Sequence, residues 1–274
     1  MATVNEKFFS ASWVGGVATV LSLLRDNPRL DVNWADKNRW TALHVSSWSG
    51  HAEVVKALLA HSDIAVNARN NFRQTPFLLG CLYGRVSVVQ VLLKDPRVDI
   101  TLGDSDGCTP LWHASYHGQL EVVQWLIASG RELGDLDNSK GKDWCGKDYT
   151  ALEIARELGR TEVASLLERF MADPAQVRHE VCARLGVLAE LAAGVFALTV
   201  FLCDNFLQPK PAMTSTPSPA ASASDALRFF AIVSKLPMEL QMVLSHRVVC
   251  SAKQNILSKD SEVAFKALTR ILQV

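Results

Sequence analysis

The chain has 274 residues, of which 49% are hydrophobic, so it is long enough for a sizeable core and too apolar to be disordered throughout. Its 28 basic and 28 acidic residues give no net charge, and no segment is strongly basic, which argues against nucleic acid as a partner. The six cysteines are scattered without a C-x-x-C pair, and no signal peptide is visible. We therefore expect reduced thiols in an intracellular, cytoplasmic protein.

The first predicted element is an incomplete unit over residues 9–24. It fits a repeat that follows it when Gly16 is set against Gly50, and it keeps Val20, Leu21 and Leu24 at second-helix positions. It lacks the threonine that opens the later units. The terminal units of a stack have a neighbour on one side only, so we interpret this segment as a capping unit.

A 34-residue internal repeat follows, marked by Thr41, Thr75 and Thr109. Each threonine is placed to cap a helix, and a glycine nine residues later is placed to end it. A second segment then carries apolar residues at helical spacing. A fixed period of this length predicts stacked helical units that each contact only their neighbours.

A fourth unit opens at Thr150, which comes 41 residues after Thr109 instead of 34. The extra residues are expected in the polar stretch 135–147, whose glycine and charged residues are typical of a loop. Insertions in repeat proteins map to loops on one face of the stack, which is often the binding face. An enlarged loop is therefore predicted on the same edge as the other loops.

These units resemble the ankyrin repeat. Thr41-Ala42-Leu43-His44 and Thr109-Pro110-Leu111-Trp112-His113-Ala114 are similar to its T-P-L-H-x-A signature, whereas Thr75-Pro76-Phe77-Leu78 departs more from it. The resemblance implies an all-α solenoid over residues 1–171, in which a capping unit and four repeats are built from helix-turn-helix pairs with β-turn fingers. It also implies that the ring of His44 bonds backbone groups between repeats, and that the chain is a non-enzymatic interaction module or adaptor.

In ankyrin proteins the fingertips and the first helices line a concave face that binds a protein partner. By resemblance, the residues just before each threonine and each glycine face that partner. They are Lys37, Asn38, Trp40, Trp48, Ser49, Asn71, Phe72, Gln74, Leu82, Tyr83, Ser105, Asp106, Cys108, Tyr116 and His117. Five of them are aromatic, which is typical of a binding hot spot. The alternative is that Trp40, Trp48 and Tyr116 pack against neighbouring repeats or the C-terminal region.

His113 and His117 are the candidate metal ligands, because on one helix a spacing of four residues directs two imidazoles the same way. Cys108 is the only nearby third ligand in the sequence. The phosphate-binding, dinucleotide-binding, nucleophile-elbow and H-E-x-x-H motifs are all absent. We therefore predict no catalytic residue, no metal and no cofactor.

Residues 172–208 are predicted to form an apolar helical extension. Residues 191–203 are uncharged, but a membrane span needs about 20 apolar residues, and Glu190 and Asp204 flank this run. We interpret it as a buried helix that closes the stack. A membrane-tethered ankyrin protein remains the alternative.

Residues 209–225 are rich in proline, serine and alanine and are predicted to be a flexible linker, followed by a helical module over residues 226–274. The L-P-x-E-L opening of this module resembles an F-box, as in poxviral-type ankyrin proteins. The resemblance implies a substrate-recognition subunit of a ubiquitin ligase that binds the Skp1 adaptor. The adaptor-facing residues would be Leu236, Pro237, Leu240, Val243 and Leu244. Alternatively, the module packs back on residues 191–203.

Overall fold

The computed structural model describes residues 3–187. The chain forms two compact units, Met1–Arg178 and His179–Val274, and most of the second lies beyond the described residues. The apolar run 191–203, the linker 209–225, the module 226–274 and its five adaptor-facing residues also fall outside them. These assignments, and the domain boundaries, therefore stay predictions.

The described residues form helix pairs joined by loops, in agreement with the predicted all-α solenoid. The helices are α1 (Val4–Trp13), α2 (Val17–Asp26), α3 (Ala42–Ser49), α4 (Ala52–Leu59), α5 (Pro76–Leu82), α6 (Val86–Leu93), α7 (Pro110–Tyr116), α8 (Leu120–Ala128), α9 (Ala151–Glu157), α10 (Thr161–Ala172) and α11 (Pro174–Arg184). Two short strands, β1 (Gly141–Lys142) and β2 (Asp148–Tyr149), pair in antiparallel orientation before α9.

The predicted threonine caps are present. The hydroxyls of Thr41, Thr75, Thr109 and Thr150 each accept a hydrogen bond from the backbone N–H three residues later, at 3.1–3.4 Å. Each cap satisfies one of the N–H groups that a helix start leaves without a partner. One residue type at a fixed position thus starts the first helix of every full repeat.

The first helices of the units pack side by side, and each second helix packs on the first helix of its own unit. The buried residues recur with the 34-residue period of the sequence. Val54, Val88 and Val122 are fully buried at the same position of successive second helices. Leu58, Leu92 and Leu126 are buried one turn further along. Each unit therefore contributes one apolar layer to a continuous core.

The first unit differs from the prediction in its start and its alignment. Its first helix begins at Val4, earlier than residue 9, and Thr3 caps it in a box with Glu6. The alignment of Gly16 with Gly50 is wrong by one residue. Gly15, with φ of 78°, ends α1 in the left-handed conformation in which Gly50 ends α3, whereas Gly16 is the N-cap of α2.

The enlarged loop is a longer β-turn finger. The turn of the earlier fingers begins five residues before the capping threonine, but in the last finger it begins at Asp143, seven residues before Thr150. Two of the extra residues are therefore Asp148 and Tyr149, which lie beyond the predicted stretch 135–147. They form β2 and lengthen the hairpin.

No helix among the described residues is long and apolar enough to cross a membrane.

Candidate protein-binding face

Four β-turn fingers precede the first helices of the full repeats. We number them finger 1 (residues 36–40), finger 2 (70–74), finger 3 (104–108) and finger 4 (143–147). Each begins with Asp or Asn, whose side-chain oxygen accepts hydrogen bonds from the N–H groups two and four residues later, at 2.8–3.0 Å. A backbone bond closes each turn. The fingers are therefore fixed by their own local bonds.

Backbone hydrogen bonds also join each finger to the next. The N–H of Asn71 donates to the carbonyl of Asn38 (3.1 Å), and the N–H of Ser105 donates to the carbonyl of Phe72 (3.0 Å). The N–H of Lys142, just before finger 4, donates to the carbonyl of Asp106 (3.1 Å). The fingers thus form one continuous edge, and a partner would meet a surface that is already ordered.

Six aromatic rings meet beside fingers 1 and 2. Trp48 is at their centre, with its ring centroid 6.0 Å from Trp13, 6.2 Å from Trp40 and 5.9 Å from Tyr83, each edge to face. Phe9 extends the group, 6.3 Å from Trp13 and 5.7 Å from Trp34. We call Phe9, Trp13, Trp34, Trp40, Trp48 and Tyr83 the aromatic cluster. It joins the first three units of the stack.

Two rings of the cluster, Trp13 and Trp48, occupy one repeated backbone position that also holds Tyr116. Trp13, Trp48 and Tyr116 all lie two residues before a glycine with positive φ, at the end of a first helix. The carbonyl of each accepts a hydrogen bond from a side chain of the next unit: His51 to Trp13 (2.9 Å), Arg85 to Trp48 (2.9 Å) and Arg160 to Tyr116 (3.2 Å).

Ankyrin-repeat family models match the chain in three overlapping segments, residues 8–104, 61–137 and 97–176, which together span more than half of it. The chain belongs to the ankyrin-repeat family. No curated protein matches the chain at the significance level applied. Ankyrin repeats are generally non-enzymatic protein-interaction modules, so the fingers and first-helix ends are the candidate binding face.

The candidate residues divide by exposure on this ankyrin scaffold. Eight are exposed: Lys37, Asn38, Asn71, Phe72, Tyr83, Ser105, Asp106 and His117. Six are half-buried: Trp40, Trp48, Ser49, Gln74, Leu82 and Tyr116. Trp40, Trp48 and Tyr83 come together in the aromatic cluster. Tyr116 belongs to a separate group around finger 4.

Cys108 does not face the surface. It is 2% exposed because β1, just before finger 4, covers it, and its Sγ lies 3.3 Å from the carbonyl oxygen of Lys142. Burial, together with the nearby carboxylates of Asp104 and Asp106, raises the pKa of Cys108 to about 12. Cys108 is therefore part of the packing between fingers 3 and 4.

Tyr116 packs largely within the scaffold. Its ring stacks on Trp112 with centroids 5.2 Å apart, and the ring of His117 lies 4.9 Å from it. Trp112 is buried, and its indole N–H donates to the carbonyl of Tyr149 in β2, just after finger 4 (2.9 Å). Tyr116 also packs against a buried cluster that includes Tyr149 and Ile154 of the next unit, in line with the alternative that its ring contacts a neighbouring repeat.

Four aromatic residues of this face were missed by the sequence analysis. Phe9, Trp13 and Trp34 complete the aromatic cluster, and Trp144 lies in the turn of finger 4 with 86% of its surface exposed. Trp13 would have been found with Gly15 aligned to Gly50, because it then falls on the position of Trp48. Trp144 is the second residue of its turn, the position of Lys37, Asn71 and Ser105, but the insertion moves it out of the 34-residue period.

The candidate metal ligands do not come together as the sequence suggested. Asp104, Cys108 and His113 have ligand atoms within 4.8 Å of one another, and His117 is not in this group. Each already has a protein partner: His113 Nε2 lies 2.7 Å from Asp104 Oδ2, Asp104 Oδ1 caps the turn of finger 3, and Cys108 contacts Lys142.

The charges and hydrogen bonds of Asp104, Cys108 and His113 fit a structural role. Burial opposes the charge on Asp104, but the hydrogen bond and charge of His113, with two backbone N–H groups, outweigh it and leave the pKa of Asp104 below its usual value. The group holds finger 3 against α7 and finger 4.

Proposed function

We propose that the chain recognises a protein partner through the aromatic cluster and the exposed fingertips beside it. The observation that carries this proposal is the exposure of the cluster: Trp13 and Tyr83 remain 49% and 46% accessible although both touch Trp48. Large half-exposed rings on a rigid base bury much area on binding and lose little conformational freedom. Recognition requires no catalytic residue, metal or cofactor.

Replacing Trp13 and Tyr83 together with alanine is expected to weaken partner binding by about tenfold or more, because both exposed rings contact Trp48 at the centre of the aromatic cluster. The test is quantitative affinity capture from cell lysate, with the captured proteins compared between the original chain and Trp13→Ala/Tyr83→Ala at equal thermal stability. Leu21→Ala is the matched control, because Leu21 is 44% exposed but lies on the second helix of its unit, α2. Equal recovery of the same proteins by the double variant would contradict the proposal.

The ubiquitin-ligase role is a second proposal and rests on the L-P-x-E-L sequence at Leu236 to Leu240. A ligase subunit of this kind would hold the captured protein on its ankyrin face and the Skp1 adaptor on residues 236–244. Skp1 is expected to co-purify with the full chain and to be lost from Leu240→Ala/Leu244→Ala while the ankyrin-bound partner is retained. Absence of Skp1 from the original complex would exclude this role.

Free cysteines support an intracellular, cytoplasmic location. Among the described residues, Cys81, Cys108 and Cys145 form no disulfide, and Cys145 is exposed in finger 4, where an oxidising compartment would favour its pairing.

A further inference from the structure

Fingers 1 and 2 each hold an arginine in a backbone conformation that disfavours it. Arg39 has φ of 63° and Arg73 has φ of 59°, whereas the same turn position holds Gly107 in finger 3 and Gly146 in finger 4. The left-handed conformation is unfavourable for a residue with a Cβ atom, whereas glycine adopts it freely. The first two fingers therefore carry arginine at the expense of stability, a pattern that is more common at functional sites.

The two arginines are neighbours on the edge formed by the fingers. They occupy the same position of adjacent turns, and the hydrogen bond from the Asn71 N–H to the Asn38 carbonyl joins these two turns. Both side chains are exposed, and in the part of the chain that the structure describes neither forms an ion pair. Two adjacent fingers thus each present one exposed guanidinium group that forms no ion pair among the described residues.

Charge is unevenly divided along the fingers although the chain as a whole is neutral. Fingers 1 and 2 together contain three basic residues and one acidic residue, while finger 3 contains two acidic residues and no basic one. The carboxylate of the one acidic residue, Asp36, also accepts two hydrogen bonds inside its own turn. The positive end of the edge is the end that borders the aromatic cluster.

Apolar surface lies directly beside these cations. Trp40 follows Arg39 and contacts Trp48 of the aromatic cluster, and Phe72 precedes Arg73 and is 59% exposed. A guanidinium group binds a carboxylate through two parallel hydrogen bonds, and aromatic rings bury aliphatic and aromatic side chains. The combination suits a ligand in which carboxylates and apolar side chains alternate.

We propose that the partner contributes an extended acidic and hydrophobic peptide segment, whose carboxylates bind Arg39 and Arg73 while its apolar side chains cover the aromatic cluster. This inference rests on the proposed binding face and adds the chemistry of its ligand. Nucleic acid is the weaker fit, because the cationic stretch is short and the acidic finger 3 directly beside it would repel a continuing phosphate backbone.

The test uses glycine at both positions. Arg39→Gly/Arg73→Gly removes the cations and also relieves the positive-φ strain, so the folded state is expected to be as stable as the original or more so. Random 12-residue peptides displayed on phage are selected on the full chain, and the enriched sequences are synthesised. We expect these peptides to be rich in Asp and Glu beside Leu, Phe, Tyr or Trp, and to bind the glycine variant about tenfold or more weakly.

Each other outcome overturns the inference. Enriched peptides that are neutral or basic, the absence of any enriched peptide, or equal affinity of the glycine variant would each exclude an acidic segment at these arginines. Stronger binding of a single-stranded RNA oligonucleotide, lost in the glycine variant, would assign the arginines to nucleic acid. If Trp13→Ala/Tyr83→Ala loses the peptides and the glycine variant does not, the binding face stands and its proposed ligand chemistry fails. If the glycine variant loses the peptides and Trp13→Ala/Tyr83→Ala retains them, the aromatic cluster is not part of the binding face.

Discussion

Lowering the pH from 6.5 to about 4 is expected to reduce the free energy of unfolding by about 3 kcal/mol through His44 alone. Burial lowers the pKa of His44 from 6.5 to about 4, and the side chain is fully buried. The unfolded chain takes up a proton at the ordinary pKa, while the folded chain stays neutral until about pH 4. The contribution of His44 to the free energy of unfolding is therefore complete above pH 6.5 and is lost progressively as the pH falls to about 4.

The hydrogen bonds of His44 explain why protonation is resisted. The N–H of Thr41 donates to Nδ1 (3.2 Å), so Nδ1 is an acceptor and the proton of the neutral ring is on Nε2. That Nε2–H faces the carbonyl oxygen of Gln74 in finger 2 at 3.1 Å. A second proton on Nδ1 would oppose the Thr41 N–H. Acid would thus disturb both the cap of α3 and the link between the first two full repeats.

Denaturant-induced unfolding, measured between pH 7.5 and 4 by tryptophan fluorescence, tests this expectation. The variant His44→Gln cannot titrate, so its stability should vary less with pH than that of the original chain, and the difference between the two should develop between pH 6.5 and 4. Parallel pH profiles for the two chains would show that His44 is not the titrating group. The pKa of His117 is also lowered, first by burial, but it is the same in both chains and cancels in the comparison.

Much of the fold was predictable because it is encoded locally and repeated. A threonine cap, a terminating glycine and a buried valine pair each act within one unit, and the 34-residue period copies them. The role of His44 as a link between repeats was predicted by resemblance to the family, and its bond to Gln74 confirms it. At the equivalent position of the third repeat, Trp112 makes a similar link to Tyr149.

The aromatic cluster was only partly predictable, because contacts between units depend on a register of one residue. Gly15 and Gly16 are adjacent, and the sequence does not show which of them adopts positive φ. The wrong choice moved Trp13 away from the position of Trp48. Finger 4 raised a different difficulty: an insertion breaks the period, so neither its hairpin pairing nor the exposure of Trp144 follows from the neighbouring repeats.

Replacing Gly141 with alanine is expected to lower the free energy of unfolding of the ankyrin-repeat stack by about 1–3 kcal/mol. A Cβ atom at this position would lie 2.7 Å from Cys108 Sγ and 2.9 Å from Cys108 Cα. The Cα atom belongs to the backbone of finger 3, which hydrogen bonds fix on both sides, so the contact is not relieved by rotating a side chain. Gly141 therefore permits the close approach of fingers 3 and 4.

The clash would also affect the bonds that hold finger 4 in place. Displacement of β1 would weaken the bond from Lys142 N–H to the Asp106 carbonyl and the contact of Cys108 Sγ with the Lys142 carbonyl. Amide hydrogen exchange should therefore show faster exchange in residues 141–149 of Gly141→Ala than in the original chain, while α3 to α6 remain protected. Unchanged exchange and stability would mean that the approach of the two fingers is not needed.

Gly80→Ala is the matched control, and it is expected to raise the stability of the chain where Gly141→Ala lowers it. Gly80 lies within α5 without positive φ, and its added Cβ would meet Val89 Cγ2 at 3.4 Å and Val88 Cγ1 at 3.5 Å, which are ordinary contacts. Ala114 already occupies the equivalent buried position in the next repeat, 34 residues later. Alanine here should stabilise the chain by about 0.5–1 kcal/mol, because it reduces the freedom of the unfolded chain and favours the helix. Opposite shifts of the two Gly→Ala variants would separate a steric requirement at Gly141 from a general effect of removing glycine.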